Sequence, residues 1–182
     1  MRVLAPQSDS SIMLLDDAIT PLSISAGTYL IIEGKVSDAL FFIEEGYCRA
    51  FHVADGVEVN TDFYFENDFV ANIKSLNTGT PSSYNVKASE DMRLMRIDRS
   101  RLLQAYKSSH EIETLGRKIL ETILQRQEEH AALFKIMDAT ERYRYLLHNR
   151  AEMLQRVSLS QLSSYLGVSR ETLSRIRGRM QR

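Results

Sequence analysis

The residues best equipped for chemistry are Arg170, Glu171, Ser174 and Arg175, which set two guanidinium groups, a carboxylate and a hydroxyl at helical spacing. An arginine fork matches the paired O6 and N7 acceptors of guanine, and a carboxylate accepts from the N4 amino group of cytosine, each contact discriminating by roughly 1–3 kcal/mol. Catalysis needs other constellations. The four histidines, His52, His110, His130 and His148, are scattered rather than clustered, and Cys48 is the only cysteine. That pattern leaves no metal-ligand set, no disulfide and no iron–sulfur site. Gly-x-Ser-x-Gly, His-Glu-x-x-His and the phosphate-binding glycine loop are also absent from the chain. The chain is therefore expected not to be an enzyme, and to need neither metal nor cofactor.

Those four residues need a rigid support, and the segment SLSQLSSYLGVSRETLSRIRGRM, Ser158 to Met180, supplies it. Ser158 can cap a first helix that turns Leu159, Leu162 and Leu166 inward. Gly167 suits a left-handed turn, and Ser169 can cap a second helix that buries Leu173 and Ile176. At about 100° per residue, Leu173 and Ile176 fall opposite Glu171, Ser174 and Arg175. The segment reads as a helix-turn-helix whose second helix offers its polar face to a major groove. Arg175 and Glu171 are the expected readers of G·C pairs, with Arg170 reaching an outer guanine or a phosphate. A plainer reading of Glu171 stays open, in which it complements the dipole of the first helical turn. Arg177 and Arg179 are open to the same kind of alternative, as a solvated face.

Charge follows the same division. The chain of 182 residues carries a net charge of −1, yet residues 138–182 contain nine arginines against four acidic residues, and the remainder is acidic. A basic C-terminal unit on an acidic body is the asymmetry expected where only that unit meets phosphates. With 43% hydrophobic residues and no long apolar run, the sequence predicts an ordinary globular protein. No signal-peptide pattern opens it, so the expected location is the cytoplasm, without membrane contact.

Upstream, residues from Ile24 to about Ile97 are strand-like. TYLII, ALFFI, YCRAFHV, VEVNTDFYF, SYNV and LMRI are punctuated by Gly27, Gly34, Gly46, Gly56 and Asn67-Asp68. That spacing predicts an all-β jelly-roll-like barrel. NTGTPSS, from Asn77 to Ser83, predicts a loop able to carry a ligand. After Asp98 the period becomes helical. Ile112, Leu115, Ile119, Ile123 and Phe134 form an amphipathic stripe on a long helix, with a polar interruption at QRQEEH. Two readings of the stripe are open, a seam between two copies of the chain and packing on the chain's own barrel. Asp138 precedes a further helix, ATERYRYLLHNRAEML, whose Tyr143, Leu146 and Leu147 are expected to complete the core behind the reader. The predicted class is α+β, divided into an effector region at 1–106, a dimerisation helix at 107–137 and a DNA-binding region at 138–182.

VSRETLSRI at Val168–Ile176, ALFFIEEG at Ala39–Gly46 and this organisation resemble the cyclic AMP receptor protein and fumarate-nitrate reductase regulator family of bacterial transcription factors. The resemblance implies a cyclic-nucleotide-binding-like barrel, a homodimer on double-stranded DNA, and RNA polymerase as a partner where the regulator activates. It gives Arg170, Glu171 and Arg175 base-reading roles and places Ser169 and Thr172 near phosphates. Ser158, Ser160, Ser174, Arg177 and Arg179 complete the expected DNA-contacting set.

Two departures from the family pattern matter. The positions comparable to its nucleotide-holding Gly-Glu and Arg-Ser pairs are Ala71-Asn72 and Ser82-Ser83, so the phosphate-binding arginine is missing. A cyclic phosphate would lack its bidentate partner, and activation by cyclic AMP in the usual manner is not expected. Asn72, Ser82, Ser83 and Tyr84 remain candidates to line a pocket for an unidentified small-molecule effector, or to form a closed loop. The sequence after Gly178 also leaves no room for the family's C-terminal wing, so Arg177, Arg179 and Arg182 are expected to supply phosphate contacts. An alternative of another class is a protein-interaction module that has lost DNA binding.

Overall fold

The computed structural model describes residues 8–180. Helix α1 (Asp9–Asp16) leads into strands β1 (Ile19–Ile24), β2 (Tyr29–Ile31), β3 (Ala39–Glu45), β4 (Cys48–Ala54), β5 (Val57–Tyr64) and β6 (Phe69–Val70). Helix α2 (Ile73–Thr78) interrupts the series before β7 (Asn85–Ala88) and β8 (Met92–Asp98). Six helices follow: α3 (Arg99–Ser108), α4 (His110–Ile136), α5 (Ala139–Asn149), α6 (Ala151–Arg156), α7 (Leu159–Leu166) and α8 (Arg170–Met180). Among the described residues no helix is long and apolar enough to cross a membrane.

The strands form two four-stranded sheets, ordered β1-β8-β3-β6 and β2-β7-β4-β5. Strand β8 is central to the first, pairing antiparallel with β1 from Ile19↔Ile97 to Ile24↔Met92 and with β3 from Ala39↔Asp98. Alternation explains the interior. Inward side chains of both sheets, among them Ile31, Phe41, Ile43, Val86 and Leu94, form one buried cluster. The expected barrel-like β region is therefore present, with β1 beginning earlier than the strand signal suggested. Gly46 shows what its turn demands. At φ +90°, a Cβ there would lie 2.6 Å from the Asp91 carbonyl, so only glycine lets the β3–β4 turn close against the strand that follows Asp91.

The chain divides into two compact units, residues 1–50 with 63–125, and residues 51–62 with 126–182. In the first unit, helices cover the outer face of the sheet carrying β8. Ile112 (0% exposed), Leu115 (2%) and Ile119 (6%) are buried there with Leu15, Leu40, Ile97 and Leu102. This corrects the dimer-seam expectation for these three residues, because side chains that fill the chain's own core are not available to a second copy. Ile123 packs half-buried at the margin of that cluster. The exposed apolar positions of the same stretch of α4 are Leu120 and Leu124, at 47% and 56%.

In the second unit, Asp138 forms a capping box with Glu141, its carboxylate accepting from the Thr140 and Glu141 N–H groups at 2.8 and 2.9 Å. The further helix expected over ATERYRYLLHNRAEML is two helices. Asn149 Nδ2 donates to the Tyr145 carbonyl, and Arg150, at φ −141° and ψ 50°, breaks the ladder between α5 and α6. The break also changes the core. Tyr143 and Leu146 are buried as expected, but Leu147 is 40% exposed, and Met153 and Val157 fill the interior instead.

Candidate nucleic-acid interface

Helices α7 and α8 are joined by Gly167 at φ 69°, ψ 35°. A left-handed residue there ends α7 within one turn, and the Gly167 and Val168 N–H groups satisfy the last carbonyls, those of Ser164 and Ser163. Ser158 Oγ accepts from the Gln161 N–H at 3.2 Å, and Ser169 Oγ accepts from the Thr172 N–H at 3.2 Å. Both serines therefore use their hydroxyls as helix caps. Leu173 (0%) and Ile176 (6%) anchor α8 in a core with Leu162 and Leu166.

The opposite side of α8 is open. Arg170, Glu171, Ser174, Arg175, Arg177 and Arg179 are all exposed, and Thr172 is half-buried. Among the described residues the side chains of Arg170, Arg177 and Arg179 make no hydrogen bond or ion pair. Arg175 is tethered by its helix, with Nε donating to the Glu171 carbonyl at 3.4 Å and Nη2 to Thr172 Oγ1 at 3.3 Å. Those contacts are long, exposed and easily exchanged. The Glu171 carboxylate is held below the usual carboxylate range by its own backbone N–H and the Ser169 hydroxyl, with Arg170 and Arg175 adding to the effect. Glu171 lies in the first turn of α8, where a carboxylate complements the helix start, so both readings of it stay open. Arg182 lies outside the described residues.

Three supporting features carry little sequence signal. Arg142 donates from Nε to the Met137 carbonyl at 3.0 Å and from Nη1 to the Leu166 carbonyl at 2.8 Å, with its guanidinium 4.7 Å from the Phe134 ring centroid. One side chain thereby joins the chain just beyond α4 to the end of α7. Phe134, expected in a seam, packs within this unit against Arg142, His130 and Tyr165. The second feature is the hairpin tip at 51–62, where the Asn60 N–H donates to Ser164 Oγ at 3.0 Å and Ser164 Oγ donates to the Glu58 carbonyl at 3.4 Å. Gly56, Val57 and Asn60 thus line one groove with Ser160 and Arg170. The third is His130, whose Nε2 is buried without a partner. Burial holds the His130 pKa below its ordinary value against the opposing pull of Asp62, and burial likewise raises that of Tyr165.

In the first unit, three of the four candidate ligand residues come together and satisfy one another. Asn72 Nδ2 donates to Ser82 Oγ at 2.8 Å, while Asn72 Oδ1 caps α2 through the Ser75 N–H at 2.9 Å. Ser82 Oγ donates to the Tyr84 carbonyl at 2.7 Å, and the Tyr84 hydroxyl donates to the Ala71 carbonyl at 3.2 Å. Ser83 is exposed and takes no part in this network. No cluster of His, Cys, Asp or Glu able to hold a metal occurs among the described residues.

Residues 21–109 match the cyclic nucleotide-binding domain family. No curated protein sequence matches the chain significantly. Among solved structures, FixK2 from Bradyrhizobium japonicum is similar at TM-score 0.72 and 21% identity, over 90% of this chain and 84% of that one. The c-di-GMP responsive global regulator CLP of Xanthomonas campestris is similar at TM-score 0.69 and 18% identity, over 96% and 92%. The Thermus thermophilus catabolite activator protein is similar at TM-score 0.59 and 18% identity, over 100% and 87%. The resemblance to the cyclic AMP receptor protein and fumarate-nitrate reductase regulators therefore extends from short motifs to the fold.

Proposed function

We propose that the chain is a homodimeric, cytoplasmic transcription regulator that binds double-stranded DNA through a helix-turn-helix formed by α7 and α8. The observation that carries the reading is the outer face of α8. It offers exposed arginines and a carboxylate, backed by Leu173 and Ile176, only 0% and 6% exposed. Arg175 and Glu171 read G·C pairs once Arg175 exchanges its weak local contacts for a guanine. Arg170, Ser174, Arg177 and Arg179 add base or phosphate contacts. Ser158, Ser160, Ser169 and Thr172 lie along the two helix starts, where capped N-termini favour phosphate oxygens. Two such readers about 34 Å apart would match a pseudo-palindrome. Leu120 and Leu124, exposed and one turn apart on α4, supply the apolar seam in place of Ile112, Leu115 and Ile119.

The strand order β1-β8-β3-β6 and β2-β7-β4-β5 supports a jelly roll. Its nucleotide corner is filled by the Asn72–Ser82–Tyr84 network, which favours regulation that does not use cyclic AMP in the usual way. RNA polymerase is the further partner where the protein activates.

Selection of bound sequences from random duplex DNA by the purified full chain, without added ligand and at near-physiological salt, tests this reading. A two-fold symmetric site containing G·C pairs is the expected result. Sites lacking G·C pairs would overturn the reader assignment, and recovery of unselected DNA would overturn ligand-independent binding.

A further inference from the structure

A cleft, part of it open to solvent, lies within the first unit between the β8-bearing sheet and the helices that cover it. Its walls are aliphatic, built by Leu40 and Ile97 of the sheet, Ile73 and Leu76 of α2, Leu102 of α3 and Leu115 of α4. The aliphatic stretches of these walls give a base or a ribose no partner, and the polar corner at Asn72 is already satisfied internally.

Three polar side chains line the cleft: Asn77, which is exposed, and Arg99 and Tyr106, which are half-buried with capacity left over. Arg99 donates from Nε to the Leu76 carbonyl and from Nη2 to the Asn77 carbonyl, but pairs with no carboxylate among the described residues. Its Nη1 is uncommitted. The Tyr106 hydroxyl makes no hydrogen bond to another described residue, and burial raises its pKa, so it stays a protonated donor. Its seat depends on Gly116, where a Cβ would overlap the Tyr106 hydroxyl. A half-buried cation without a counter-ion and a spare phenolic donor beside an aliphatic cleft are complementary to one kind of molecule.

We propose that this cleft binds an amphipathic monocarboxylate of medium acyl length. Its tail lies along the aliphatic walls, and its carboxylate accepts from Arg99 Nη1 and the Tyr106 hydroxyl. The proposal goes beyond the DNA-binding reading and does not require it.

Sodium decanoate titrated calorimetrically into the full-length protein tests it, with decanol and cyclic AMP as comparison ligands. The expected result is saturable binding of one decanoate per chain, weaker binding of decanol and none of cyclic AMP at this site. Arg99→Gln and Tyr106→Phe should each weaken decanoate by roughly fivefold or more, the loss of a charge-assisted hydrogen bond. Tyr106→Phe preserves the packing and carries the test should Arg99→Gln unfold on a thermal melt. Leu103→Trp, at the cleft lining where the side chain is 42% exposed, should block access. Absence of saturable binding below the micelle concentration, or equal binding by parent and Tyr106→Phe, would overturn the proposal. So would dissociation of a dimer by Leu103→Trp, seen by ultracentrifugation, in a protein that never binds decanoate. That result would make the cleft a seat for a second copy. Leu120 belongs both to this cleft and to the proposed seam, but a failure of any of these leaves the DNA selection untouched, so the decanoate site and the DNA reading stand or fall separately.

Discussion

The corner around Asn72 and the outer face of α8 are both rich in polar side chains, and they dispose of their hydrogen bonds in opposite ways. Asn72, Ser75 and Ser82 are buried, at 6%, 1% and 3% exposure, and bond to one another or to nearby backbone. On α8, the side chains of Arg170, Arg177 and Arg179 are exposed and make no hydrogen bond or ion pair among the described residues. A closed network rigidifies and leaves nothing for a ligand, whereas an open cationic face keeps its donors available. Two polar clusters of similar composition thus differ in what they leave available, by how they satisfy their own donors.

Substitutions can break or sharpen that contrast. The largest effect is expected from Leu173→Ala, which undermines the open face from below. It should cost about 2–5 kcal/mol in urea unfolding and abolish specific DNA binding along with it. Asn72→Ala should separate the two properties. It strips a cap and leaves Ser82 short of a donor, so stability should fall by about 1–3 kcal/mol while DNA affinity stays at the parental value. A change in affinity would mean the closed corner is not inert. Arg175→Ala should do the reverse, weakening the selected site by roughly 1–3 kcal/mol in fluorescence anisotropy, with an unchanged melting temperature.

The smallest effect concerns His130, which is half-buried with its enclosed Nε2 unmatched. Its folded pKa lies below the unfolded value because burial penalises the cation. The unfolded chain therefore takes up the proton first. The corresponding stability is fully present above about pH 6.5 and declines as pH falls below it. Melting temperatures at pH 7.5 and 5.5 should differ less for His130→Phe than for the parent, and an equal difference would exclude this residue as the source.

Local features were the readable ones. Ser158, Gly167 and Ser169 specify their turn with their own side chains, so the helix boundaries around α7 and α8 follow from residues within a turn of each other. The strands were legible through alternation and turn residues. What escaped depends on partners distant in sequence. Ile112, Leu115 and Ile119 form a periodic stripe, but periodicity shows that a face is buried and not what covers it. Leu147 continued an apolar pattern that the break at Arg150 brought to an end. Arg142 reads as one more surface arginine until folding brings the Leu166 carbonyl, 24 residues away, within reach of its guanidinium.

The hydrogen bond between Asn60 and Ser164 joins positions 104 residues apart. Its consequence belongs to biosynthesis. The hairpin tip leaves the ribosome long before the helix it serves, and the C-terminal unit reaches its final form only after that wide loop has closed, a slow step for high-contact-order topologies. A fragment beginning at residue 126 would lack twelve residues, 51–62, that its own compact unit includes. Cutting the chain there would therefore divide a compact unit rather than release one.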